Sequence, residues 1–211
     1  MKSALPLFVA ALAFAFGYTR AQTPGEELFR SIENGDFTGF SRLVDAGVHL
    51  AAKNGLGESP LYVAAEKGEL EMARALIAAK ADARALTPNG ETVLHAASMI
   101  ESSALMTVLI EAGAEINATN RDGETPLHWA AMTGTFLAVK ALADAGADLN
   151  VQDLGTGNTA LHAAASHNDI VLIHYLLSKS VRTDIRNNNG LIALELARAS
   201  GRTAAVRLLE Q

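Results

Sequence analysis

The chain is expected to fold as an all-α solenoid: a stack of about six helix-turn-helix units with short β-hairpin or turn tips. Three observations predict this. Four segments repeat in near-constant register, ESPLYVAA (58–65), ETVLHAAS (91–98), ETPLHWAA (124–131) and NTALHAAA (158–165), and their leucines Leu61, Leu94, Leu127 and Leu161 stand 33, 33 and 34 residues apart. A fixed period in that range marks stacked supersecondary units, none of which can bury its apolar face alone. Glycines recur in the same register, Gly47, Gly113 and Gly146 among them. Finally, hydrophobic residues make up 49% of the chain but aromatics only 5%. Alanine supplies much of the difference, which suits thin helices in close approach.

The first element is not part of the stack. Lys2 makes a positive start, Ala4 to Phe16 is apolar, and Thr19-Arg20-Ala21 has the small-x-small form of a cleavage site. Residues 1–21 therefore read as a cleavable signal peptide, too short an apolar run for a stable membrane anchor. Cleavage after Ala21 removes Lys2, Arg20 and no acidic residue, taking the formal charge from −6 to −8. That charge, with the basic residues scattered, excludes a nucleic-acid footprint. No cysteine is present, which excludes thiol catalysis, thiolate metal sites and a lipid anchor on cysteine.

Residues 22–211 form the array, in units near 26–54, 55–87, 88–120, 121–153, 154–187 and 188–211. Residues 121–153 show the logic of one unit. Arg121-Asp122-Gly123 is a tight turn with glycine free to take positive φ. Thr125 stands at the N-cap and Pro126 at the first helical position, where its missing N–H costs nothing. Leu127, Ala130 and Ala131 share one face, and Gly134 ends the helix. A second helix follows from about Phe136 to Ala145, with Val139, Leu142 and Ala143 inward and Gly146 as a left-handed stop.

DGETPLHWAA followed by GADLN within one such window resembles the ankyrin repeat, and the resemblance extends from Glu26 to Gln211. It implies a non-enzymatic binding fold, monomeric on its own and without cofactor, whose partner lies along a concave side made of hairpin tips and first helices. The first unit matches at Leu28, Gly35 and Gly47. The last keeps Leu194 and Gly201 but carries Glu195 where a histidine is expected. Lys80 and Ser180 replace helix-ending glycines, so those ends should be strained or differently turned. Glu101 replaces the glycine between helices of the third unit. Leu154 to Asn158 holds one extra residue, expected at a tip.

Chemistry-bearing residues are sparse. His95, His128 and His162 share one slot, and the resemblance implies a structural role, tying a turn to its neighbour. His162 and His167 are five apart, poor spacing for two ligands on one helix face, and nothing resembles HExxH; no metal site is expected. No GxSxG elbow or phosphate-cradling glycine loop occurs. Ser59 reads as a cap, and Asn54-Gly55-Leu56-Gly57 as a turn. Asn117-Ala118-Thr119 matches a glycosylation sequon but also falls on the family's GAxxNAxx stretch.

The resemblance places partner-facing positions at the tips and on the first helices. Tip residues include Glu91, Arg121, Asp122, Glu124, Leu154, Thr156 and Asn158. On the helices, Met99 and Ile100, Met132 and Thr133, and His167 are expected to face solvent, beside Trp129, the single tryptophan. Met99, Ile100 and Met132 are apolar where polarity is expected, and with Trp129 they suggest a contact strip. The function expected is a protein-binding module in the periplasm of a Gram-negative bacterium, holding an enzyme that it inhibits or protects. The alternative is a secreted effector that binds a host protein.

Overall fold

The computed structural model describes residues 23–179 and 181–211. The signal peptide expected at 1–21, and Ser180, lie outside the described residues. Twelve helices run among those described, in six pairs: α1 (Pro24–Glu33) and α2 (Phe37–Asp45), α3 (Pro60–Glu66) and α4 (Leu70–Ala78), α5 (Val93–Ala97) and α6 (Ser103–Glu111), α7 (Pro126–Thr133) and α8 (Phe136–Asp144), α9 (Ala160–His167) and α10 (Ile170–Ser178), α11 (Ala193–Ala199) and α12 (Thr203–Leu209). Odd-numbered helices pack on odd in one row and even on even in a second, so the chain is a two-layer stack. The described residues contain no strand, so the tips are turns.

Each unit starts as its residues dictate. Thr125 caps α7 in extended conformation with Pro126 behind it, and Gly134 ends the helix at φ 71°. α1 begins the same way, with Thr23 and Glu26 capping each other and Pro24 in the first turn. Leu28, Leu61, Leu94, Leu127 and Leu161 are all buried, each layered on its neighbours through alanines such as Ala64, Ala96, Ala130 and Ala164. Small side chains allow this close approach, and the core is one continuous seam through all the units. In α8 the inward residues are Ala138, Val139 and Leu142; Ala143, expected inward, is only half-buried.

The departures resolve individually. Lys80 adopts the glycine conformation, φ 69°, and keeps the turn: its N–H donates to Ile77 O and that of Ala81 to Leu76 O, each at 2.9 Å. This end is strained and not differently turned, since a side chain in the left-handed region crowds its own carbonyl. Glu101 does not adopt positive φ. Instead α5 stops early, at Ala97, and Ser102 starts α6 by accepting from Leu105 N. Asn168 takes the equivalent glycine slot of the fifth unit at φ 59°, a conformation asparagine tolerates.

Tips are tied to each other by backbone bonds: Arg121 N to Asn89 O at 2.9 Å, Leu154 N to Asp122 O at 2.8 Å and Asn188 N to Thr156 O at 2.9 Å. The extra residue of the fifth unit is absorbed in the turn at 154–156, and both flanking bonds are made. Pro88 occupies the donor position at the junction of units two and three, and having no N–H it leaves that bond unmade. The Lys53 ammonium, donating to Leu86 O at 3.1 Å, links the residues just before those two tips instead.

Candidate interaction face

The turn tips are organised by one side chain apiece. Asn120 Oδ1 accepts from the N–H groups of Asp122 and Glu124 at 3.0 and 2.9 Å. Asn54 and Asn187 do the same in their own turns, and Thr87 uses its hydroxyl. Asp153 spans the enlarged tip, accepting from the Thr156 hydroxyl at 2.7 Å and Asn158 N at 3.0 Å. Those bonds hold its carboxyl below the usual carboxylate range against the opposing effect of burial. Sequence reasoning missed these organisers, although Asn54…Glu58 and Asn120…Glu124 share one spacing and one register.

The repeated histidines lock helix to tip. Nδ1 of His95, His128 and His162 accepts from the N–H of Thr92, Thr125 and Thr159 at 3.0, 3.0 and 3.2 Å. The proton therefore sits on Nε2, which donates to the carbonyls of Glu124, Asn158 and Leu191 in the next unit at 3.0, 3.1 and 3.0 Å. Burial pushes the pKa of His95 and His162 down. Tyr62 fills this slot in the second unit and reaches forward through its hydroxyl to Glu91 Oε2 at 3.2 Å. Burial first, then the Glu91 charge, push the phenol pKa up, so it remains a donor. In the last unit Glu195 accepts from Ile192 N at 3.1 Å and from Arg186 at 2.8 Å.

The expected contact residues divide into framework and surface. Met99 and Met132 are exposed, 41% and 45%, at equivalent positions of adjacent units. Ile100 is not solvent-facing as expected. It is half-buried against the core, packed where a Cβ on Gly68 would meet its Cγ2 at 3.2 Å. With Glu101 outside the positive-φ region, the early end of α5 carries Ile100 inward. Trp129 is half-buried, its Nε1 donating to Glu124 Oε2 at 2.8 Å and its ring edge-on to His95 at 5.3 Å. Asn158 is half-buried too, with its carbonyl held by His128 and its side chain by Asn187.

The remaining positions lie outward. Arg121 and Asp122 are exposed, and Leu154 is 73% exposed with its side chain leaning on Gly123. Thr156 and Thr133 are exposed but bonded locally, to Asp153 and to Trp129 O. His167 is exposed, its Nδ1 donating to Ala163 O at 2.9 Å, well apart in role from buried His162. Glu91 and Glu124 each use Oε2 internally. Asn117 Oδ1 accepts from Asp148 N at 2.9 Å, which gives the sequon asparagine a structural task between loops. No group of three histidine or acidic side chains among the described residues is placed to hold a metal ion. No helix among them is long and apolar enough to cross a membrane.

Comparison with known proteins agrees with this geometry. The family model Ankyrin repeats (3 copies) matches residues 28–120, 79–153 and 138–211. Among solved structures, the ankyrin repeat domain of Bcl-3, a member of the IkappaB protein family, superposes with a TM-score of 0.79 at 28% identity, covering 91% of this chain and 86% of that one. Among curated proteins, the E3 ubiquitin-protein ligase KEG of Arabidopsis thaliana is 41% identical over 58 residues. That match takes in 28% of this chain and only 4% of the ligase. The chain belongs to the ankyrin-repeat family, a fold that serves as a non-enzymatic scaffold for protein–protein interaction.

Proposed function

We propose that this chain is exported by a leader at 1–21, works in the periplasm, and holds an enzyme of that compartment on its concave face, inhibiting or shielding it without doing chemistry itself. The observation that carries the interaction is the pair of exposed methionines at equivalent positions of adjacent units, Met99 just past the early end of α5 and Met132 on α7. Burial within the fold does not account for their apolar character, and exposed apolar clusters framed by polar groups are a mark of interaction sites. Support for export comes from the charged start, short apolar run and small-x-small close of residues 1–21.

The test is capture from a periplasmic extract with the mature chain, beside a Met99→Ser, Met132→Glu variant. Binding of the captured partner is expected to fall at least about tenfold, since a central apolar anchor contributes on the order of 2 kcal/mol. Stability is expected to move by about 0.5 kcal/mol or less, as for other surface changes. Glu71→Ser, exposed on α4, is the matched control. A double variant that holds its partner as tightly as the parent would remove this face from consideration. Capture from a host-cell extract alone would favour the secreted-effector alternative.

A further inference from the structure

Resting on the interaction reading above, we infer that the strip around Met99 and Met132 receives an extended basic segment of the partner, with arginine or lysine at every third residue and apolar side chains between. Charge complementarity selects this occupant. Trp129, three residues before Met132 on α7, donates to Glu124 Oε2, and Glu91 and Glu58 stand in the same register one and two units earlier. In each, Oε2 is held by neutral donors: Asn54 on Glu58, Tyr62 and Thr87 on Glu91, Asn120 and Trp129 on Glu124. The other oxygen of each carboxylate is open to solvent, since no buried side-chain oxygen is left without a partner. No ion pair among the described residues reaches any of the three. The three negative charges are therefore oriented but not neutralised, beside an apolar strip.

Spacing selects the form of the segment. Packed helix layers repeat at about 8–10 Å. A polyproline II segment, the extended form with three residues per turn, advances about 3.1 Å per residue, so every third side chain returns to one face about 9 Å further along. A cation at every third residue then meets each carboxylate in turn, while the intervening apolar side chains lie over Met99 and Met132. A helical ligand, rising about 1.5 Å per residue, would need a different interval.

The probe is a labelled synthetic peptide with arginine at every third position and leucine and serine between, titrated by fluorescence anisotropy into the mature chain. A second peptide has the same composition with its arginines contiguous. The spaced peptide is expected to bind at least about tenfold more tightly, with affinity that falls as salt rises. Changing Glu58, Glu91 and Glu124 together to glutamine retains the accepted hydrogen bonds and is expected to weaken binding at least about tenfold. Should that variant lose its helical circular dichroism, Met99→Ser with Met132→Ser carries the same expectation. Equal affinity for both peptides, no binding of the spaced peptide, or self-association of the chain through this face would each overturn the inference. A captured partner that depends on the methionines but is not displaced by the spaced peptide would overturn it while leaving the interaction reading intact.

Discussion

At the residue scale, His128 illustrates how one side chain joins two units. Its ring accepts from the N-cap of its own helix and donates to the carbonyl of Asn158 in the next tip. Replacing it with alanine leaves both groups unsatisfied, so His128→Ala should lose about 1–3 kcal/mol in chemical denaturation. A loss confined to a few tenths would show that water repairs the gap. His95 and His162 add a pH dependence. Burial holds their folded pKa below the ordinary value of about 6.5, so the unfolded chain takes up more protons as pH falls. Their contribution is complete above about pH 6.5 and is lost below it. Denaturation midpoints should therefore drop between about pH 7.5 and about pH 5.5, and a flat profile across that window would contradict the neutral assignment.

At the element scale, helix ends decide local geometry. Lys80 and Glu101 both stand where glycine is expected, yet one accepts the left-handed turn and the other shortens its helix. In α4 the turn is retained because Leu76 and Ile77 need their carbonyls satisfied by the loop that follows. Glu101 instead sends its carboxylate across to α8, where Oε1 accepts from Leu137 N at 3.0 Å. Lys80→Gly should relieve strain of about 1–2 kcal/mol and restore about 0.5–1 kcal/mol of unfolded-state freedom. A net gain of about 0.5–1 kcal/mol in denaturation is the expected result. A net loss would mean that the lysine charge at the helix end outweighs the strain.

At the scale of the whole molecule, stability is a sum over neighbours, and the joints are unequal. The backbone bond between successive tips is made at each of the last three junctions and is absent at Pro88. The outer helices α8 and α10 also approach less closely than other neighbours, joined through the Phe136–Tyr175 ring pair and the Asp144–Lys179 ion pair. The proposed leader at 1–21 belongs to this scale, since on that proposal its removal sets the compartment in which the stack works. Intact-mass measurement of the natively exported protein should show a chain beginning after Ala21. A mass that includes Met1 would contradict both cleavage and the periplasmic proposal.

Local chemistry determined much of this protein without reference to the fold. The 33-residue period, the Thr-Pro starts and the glycine stops mark helix positions because capping and left-handed turns depend on residues within one turn of chain. Burial at Leu61, Leu94, Leu127 and Leu161 follows from the same register. The outward set was less legible. Asn158 and Ile100 read as surface and Trp129 as a contact residue beside it, but partners that are distant in sequence or set by a neighbouring turn hold all three half-buried: His95 lies edge-on to the tryptophan, Asn187 holds the asparagine, and the early end of α5 turns the isoleucine onto Gly68. Only the tertiary structure settles such positions, because a solvent-facing slot in one unit becomes an interior slot once the next unit is stacked upon it.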